Sequence, residues 1–472
     1  MPSVSAAGPG HPRDTVLLAP LLLLALLVAP LASAQVLRSG AVERSGDTGS
    51  LLPMTTSCSI VPEKELFIVD LSVVEDCLRT TWGSCPTPVP LPLPATQGAW
   101  TFGRLMQGLA GTADPVVLDR FVRDWLAHWQ QNLLINGDSV PARPAIKTHV
   151  IDPWQLASGG TLLDMKKAPF RLLSIVARLD LRDLAAGSAG EGRFIFGLTD
   201  PQNPQQAKEM TVIFEYQLDA RDCGALQNWA ASWHALGSHP FGPQYNAALQ
   251  AVTDRFTRIG ASSRRLNGSA ISQVRTNEIL LAAPWELREF RLTPSGVIGS
   301  PGPAPLTEVT VARTPNTVHD KQQILADFIN GNQAAILANQ HDVPLSFQWQ
   351  SFRAGHSPHN LQFGWDGPGG PCASIVDPEA RHILSRETCS GCHGTPETNT
   401  RFYQVLPRAP GQVAQLAGFL TGAPGGGPIW VTDPCGRTHP FDDIERRRQD
   451  LCTLLGSSCA TLSEEVPLQI VH

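Results

Sequence analysis

The residues best equipped for chemistry lie in one octapeptide, Glu387-Thr388-Cys389-Ser390-Gly391-Cys392-His393-Gly394. Its C-x-x-C-H spacing gathers two thiols and an imidazole into a single turn. Two thiols so spaced can add across the two vinyl groups of a haem as thioethers, and the adjacent imidazole then reaches the iron. Cys389 and Cys392 are therefore the candidate covalent attachments, and His393 is the candidate proximal ligand. Gly391 and Gly394 suit a backbone that runs close to a flat macrocycle. Three other chemistries compete for the same residues: a redox dithiol, a plain disulfide and part of a zinc site. A redox C-x-x-C expects a strand before it in a βαβ unit, and none is legible there. Zinc expects two further Cys or His at short spacing, whereas the next such pair is Cys435 and His439.

These groups need elements that deliver them together. Asp377-Pro378-Glu379 reads as a helix start, with an Asp cap, Pro at the first position and acid in the first turn. That helix runs directly into Cys389. Thr438-His439-Pro440 reads as the opening of a closing helix. Asp442 and Asp443 fall in its first turn, Phe441, Ile444, Leu451 and Leu455 lie along one side, and Gly456 stops it. A short helix is expected over Gln412 to Leu420, and no strand after residue 371. Upstream, Glu65 to Val74 reads as a strand, and residues 85–98 as a Pro-rich connector. Asp114-Pro115 starts a helix carrying Leu118, Phe121, Val122, Trp125 and Trp129 at helical spacing. Phe170 to Leu181, Arg193 to Leu198, Thr211 to Leu218 and Ile279 to Leu292 (around Pro284) read as strands. Helices are expected at 224–235, 243–258, 319–330 and 332–339. The Gly-, Pro- and His-rich stretch 354–372 marks a boundary. The fold class is α+β: a large domain over 58–365 with a mostly antiparallel sheet and flanking helices, then a small helical domain over 371–472.

From residue 371 onward, a helix, TCSGCHG, loops, a short helix and a closing helix together resemble a class I cytochrome c domain. The resemblance implies one covalent haem c and electron transfer. The whole chain also resembles an uncharacterised family of large exported proteins from soil bacteria such as myxobacteria, through its ELFIVDLSVVED start, its APWELREF strand and its TCSGCHG segment. That second resemblance implies no function for the large domain. One departure from the cytochrome pattern matters. The second axial ligand there is normally Met, but the last Met here is Met210 and the last Lys is Lys321. Beyond residue 371 only His382, His439 and His472 can serve. His382 sits on the helix entering the motif, and His472 is the last residue. His439 stands about where a cytochrome places its Met and is the candidate distal ligand; the alternative is a helix-start histidine facing water. His356 and His359 are further candidates in the boundary loop. Two His ligands would give a low-potential electron carrier, whereas an empty sixth position would admit peroxide, oxygen or another small ligand. Arg401 and Arg408, in the loop after the motif, are candidates for holding the haem propionates. They read equally well as solvated loop arginines.

Export fits the same reading. His11 and Arg13 precede an apolar run, Val16 to Pro30, and Ala32-Ser33-Ala34 is a small-x-small cleavage site. This is the layout of a signal peptide over 1–34, followed by a flexible leader over 35–57. The run is too short for a spanning helix, which needs about 20 apolar residues. The mature chain is expected to be periplasmic or secreted, with no membrane span. Setting Cys389 and Cys392 aside leaves eight of the ten cysteines, an even number that an oxidising compartment can pair. The candidate pairs are Cys77/Cys85 and Cys452/Cys459, with Cys435 to Cys452 as another. Hydrophobic content of 42% and charged content of 17% are those of a globular chain. The net charge of −6, with no basic stripe, argues against nucleic acid as a partner. A redox protein or a small molecule is expected instead. In the large domain Arg178, Asp180, Arg182, Glu191, Arg193 and Glu215 fall within or beside strands. They read as a buried ion-pair network or as a substrate pocket. His234 and His239 flank a turn and read as metal ligands or as a helix C-cap. No G-x-S-x-G, H-E-x-x-H, phosphate loop or EF-hand occurs. Three functions follow. The first is a monohaem electron-transfer protein. The second is a haem enzyme with an open iron site, peroxidase-like or an oxidoreductase. The third is an exported binding or structural protein with a Cys389–Cys392 disulfide.

Overall fold

The computed structural model describes residues 58–83, 85, 97–264, 267–293, 305–463, 465, 467 and 468. The expected signal peptide and leader lie outside them. The longest strands arise where apolar residues alternate with charged or small ones, the period that turns one side chain to each face. They are β2 (Phe170–Arg178), β3 (Ser188–Thr199), β4 (Ala207–Asp219), β5 (Ile271–Glu278) and β6 (Trp285–Leu292). With β1 (Phe67–Ile68) they form an antiparallel sheet in the order β1-β2-β3-β4-β5-β6. The last edge is shared by two short strands. β7 (Leu306–Val309) pairs with Glu289 to Leu292, and β8 (Ser357–His359) pairs with Trp285 to Leu287.

The two faces of this sheet have different partners. Phe194, Phe196, Phe214, Tyr216 and Phe290 face helices α1 (Phe102–Ala110), α2 (Pro115–Leu126), α3 (Cys223–His234) and α4 (Pro243–Thr257). Asp114 caps α2 by accepting from the amides of Val116 and Val117, which satisfies donors a helix start leaves bare. The opposite face presents Val176, Ile195, Ile213 and Leu287. It is covered by the segment that carries Cys389, Cys392, Tyr403 and Val405. The described residues from 58 onward group as one compact unit, including the stretch 354–372 expected as a boundary. Part of that stretch is β8, an edge strand of the main sheet.

Several local expectations change. Glu65 to Val74 is not one strand. Asp70 accepts from the Ser72 amide and starts a helical turn, Leu71–Val74, leaving only Phe67–Ile68 extended. β5 was not legible because its sequence, ISQVRTNE, is polar; its charges are buried against partners on both sides. After residue 371 there is a hairpin of β9 (Ile429–Thr432) and β10 (Thr438–Phe441). Thr438-His439-Pro440 is therefore strand. The closing helix begins at Asp443, with Asp442 accepting from the Glu445 amide. The expected helix over Gln412 to Leu420 shrinks to Gly418–Thr421.

Four disulfides occur among the described residues: Cys77–Cys85 as expected, then Cys58–Cys452, Cys223–Cys459 and Cys372–Cys435. The pairs Cys452/Cys459 and Cys435/Cys452 do not form, because each of these cysteines meets a partner distant in sequence. Such cross-links suit an oxidising compartment. No helix of the described residues is long and apolar enough to cross a membrane.

Candidate functional site: a buried cavity at Cys389, Cys392 and His393

Helix α5 (Gln323–Gly331) packs against helix α6 (Pro378–Arg386); α6 is capped by Asp377, which accepts from the Glu379 amide, and it delivers the chain to Thr388. Thr388 caps the single turn α7 (Cys389–Cys392) by accepting from the Gly391 amide. The two sulfurs and the imidazole thus leave one tight turn, as their spacing requires. Gly391 has a different reason from the one expected. A Cβ there would lie 2.0 Å from the Ser385 carbonyl oxygen, so the glycine lets α7 fold back against α6. At Gly394 a Cβ would meet the Phe363 carbonyl oxygen at 2.7 Å.

Cys389, Cys392 and His393 border a cavity between α7 and the second face of the sheet. Both cysteines are free and buried. Burial pushes the Cys389 thiol up to about 12 and raises Cys392 as well. Neither is a thiolate at neutral pH, the reverse of what a redox dithiol needs. Gln404 Nε2 lies 3.0 Å from Cys392 Sγ.

The His393 Nδ1–H donates to the Phe402 carbonyl oxygen at 2.7 Å. A carbonyl can only accept, so Nδ1 carries the proton and Nε2 keeps its lone pair. Burial holds this imidazole down at about 4, with the nearby Arg275 guanidinium acting in the same direction. The ring is therefore neutral at physiological pH, the form that ligates a metal, and its other nitrogen is anchored as metal-bound histidines usually are. Trp285 stacks on the ring at 4.8 Å between centroids and 23° between planes.

The rest of the lining is charged. Arg178, Arg193, Glu215, Arg275 and Arg447 border the cavity. Arg178 is held by Asp180 at 2.9 Å, Arg193 by Glu191 at 2.7 Å, and Arg275 by Glu289 at 3.0 Å. Burial would raise Glu215, but Arg193 and Arg275 outweigh it and hold the carboxyl below its usual value. Two buried donors, Arg178 Nη1 and Arg447 Nε, find no hydrogen-bond acceptor among the described residues. Orphaned buried donors are costly, so an anionic group between them would satisfy the lining.

The remaining sequence candidates lie elsewhere. His439 does not border the cavity. Its ring stacks on His382 at 3.5 Å, and Nε2 lies 3.2 Å from Asp433 Oδ2. Arg401 is exposed. Arg408 is buried, but it pairs with Glu75 and donates to the Leu172 carbonyl, strapping its loop to β2. His359 stacks on Trp285 at 4.5 Å, and His356 bonds Glu286. His234 is engaged by the buried Glu65. Arg182 pairs with Asp450 and Glu465. Of the strand charges, Arg178, Arg193 and Glu215 do reach the site, with Asp180 and Glu191 behind them. Sequence reading missed Arg275, Trp285 and Arg447. The signal for Arg275 was available: Gln273, Arg275 and Asn277 alternate along β5 in phase with the face that holds Glu215.

The chain finds no match among family models, curated proteins or solved structures.

Proposed function

We propose that this chain is an exported monohaem c-type redox protein, loaded after signal-peptide removal in the periplasm or outside the cell. The observation that carries the reading is that both thiols and a neutral, hydrogen-bond-anchored imidazole border one cavity. Cys389 and Cys392 would hold the porphyrin as thioethers, and His393 Nε2 would ligate the iron. The unsatisfied guanidinium N–H groups of Arg178 and Arg447 fit haem propionates by charge and by donor type. They replace Arg401 and Arg408 in that role. When bound, the haem supplies a one-electron couple. The chain's part is to desolvate it, fix its axial imidazole and set the surrounding charge. The helix, TCSGCHG and closing-helix order supports a cytochrome c-like use of this segment, although here it is packed on the sheet.

As an electron carrier the protein would serve a partner protein or a small redox molecule. A second reading, a haem enzyme with an open sixth position, is favoured by one observation. Among the described residues bordering the cavity there is no Met and no second His. Arg193, Glu215, Arg275 and Asn277 border it instead and would meet a small polar ligand. The ferric spectrum of the purified holoprotein decides between them. A high-spin spectrum that shifts with azide or cyanide supports the open site. A low-spin spectrum indifferent to these ligands supports the carrier.

A further inference from the structure

A second cluster lies outside the cavity, where the β9–β10 hairpin meets α6. One ligand atom from each of His382, Asp433 and His439 lies within 4.8 Å of the others. His382 and Asp433 are buried, and His439 is nearly so. We propose that these three residues form a binding site for a divalent transition-metal ion of the zinc class, separate from the haem reading.

The donor set is the first reason. Two imidazoles and one carboxylate suit Zn²⁺ and its first-row neighbours, and three protein donors leave a fourth tetrahedral position for water. The spacing is the second. At bond lengths of about 2.0–2.2 Å, two ligands of one tetrahedral zinc sit roughly 3.3 Å apart. His439 Nε2 and Asp433 Oδ2 are 3.2 Å apart. His382 completes the set when its ring tilts out of the parallel stack it now makes with His439.

The surroundings are the third reason. His382 Nδ1–H donates to Glu397 Oε2 at 2.8 Å, which leaves Nε2 for a metal. Glu379 lies 3.9 Å from His439 Nδ1. Carboxylate–histidine pairs of this kind commonly support bound metals. Arg381 orients both carboxylates, pairing with Glu397 at 2.6 Å and with Asp433 at 3.2 Å. Four carboxylates (Asp377, Glu379, Glu397, Asp433) against two guanidiniums (Arg381, Arg437) leave two negative charges for a cation to answer. The same two chain segments are already joined by Cys372–Cys435. A metal there would tie the hairpin to the helix that enters the Cys389 turn.

The test is metal uptake by the full chain. Chelator-treated protein is dialysed against Zn²⁺ and the bound metal is counted by mass spectrometry. Wild type is compared with a Cys389→Ser/Cys392→Ser variant, so that thiol binding is separated from the proposed site. The proposal expects about one equivalent in the double variant, and visible absorption bands of tetrahedral coordination when Co²⁺ replaces Zn²⁺. His439→Ala and Asp433→Asn, each checked by circular dichroism, should lose that equivalent. Glu397→Gln should weaken it by about 10–100-fold. Absence of uptake by the double variant, or full uptake by folded His439→Ala and Asp433→Asn, would overturn it.

Discussion

At the scale of single residues, the site depends on contacts that only particular atoms allow. Gly391 is the clearest case, because any Cβ there runs into the Ser385 backbone carbonyl. Gly391→Ala should therefore cost about 1–3 kcal/mol, the usual range for forced overpacking. Thermal denaturation of the haem-free chain reads this directly, and an unchanged midpoint would refute the close approach of α7 to α6. His393 and His359 give a pH prediction. Both are neutral rings in the folded chain, held down at about 4 and about 3 mainly by desolvation. The unfolded chain binds these protons near pH 6.5 and the folded chain does not, so it is the unfolded state that gains protons on acidification. Their contribution to stability is thus full above about pH 6.5 and declines as the pH falls toward 4. Denaturant titrations of the haem-free chain between pH 7 and 4 should show this decline, and His359→Phe should flatten it. A slope equal to wild type in that variant would contradict the burial argument.

At the scale of elements, the second sheet face exists only because the C-terminal segment covers it. The closing helix, Asp443–Gly456, is bonded to the start of the described chain by Cys58–Cys452, and Cys459 just beyond it is bonded to α3 by Cys223. Each link closes a loop of more than two hundred residues, 394 for the first and 236 for the second. Loss of a native disulfide of this kind costs about 2–5 kcal/mol. Cys58→Ser/Cys452→Ser should lower the unfolding midpoint in step with that cost and increase proteolysis near the closing helix. Proteolysis confined to other regions would argue that the helix is held by packing alone. The elements also show where a sequence can be read. α2, α3 and α6 were legible because apolar spacing and an N-terminal cap coincide in them, and α4 because apolar spacing follows a proline at its start. β5 and the β9–β10 hairpin were not. β5 buries charges that alternation alone treats as exposed. In the hairpin, Pro440 before two acids imitates a helix start, while its backbone pairs with Trp430 across the ladder.

At the scale of the whole molecule, the fold puts the chemistry at an interface between layers. The aromatic face of the sheet carries the apolar core. The other face carries arginines and carboxylates that would be unfavourable against solvent-free apolar packing, and it meets the one segment with two free thiols. The C-x-x-C-H turn was legible because its residues are adjacent in sequence. The cavity around it was not, because Arg178, Arg275 and Arg447 come from strands and a helix far apart in sequence, and only the sheet order brings them together. His439, expected near the iron, lies outside the cavity lining for a related reason. Its ring is engaged by His382 and Asp433, partners that sequence spacing from His393 does not reveal.

The central claim is covalent haem on Cys389 and Cys392. The direct measurement is intact-protein mass spectrometry of the exported, matured chain, made together with in-gel haem staining after denaturation. A stained band and an added mass of one porphyrin are expected, both lost in Cys389→Ser/Cys392→Ser. A colourless matured chain, with both thiols alkylatable and no added mass, would contradict it.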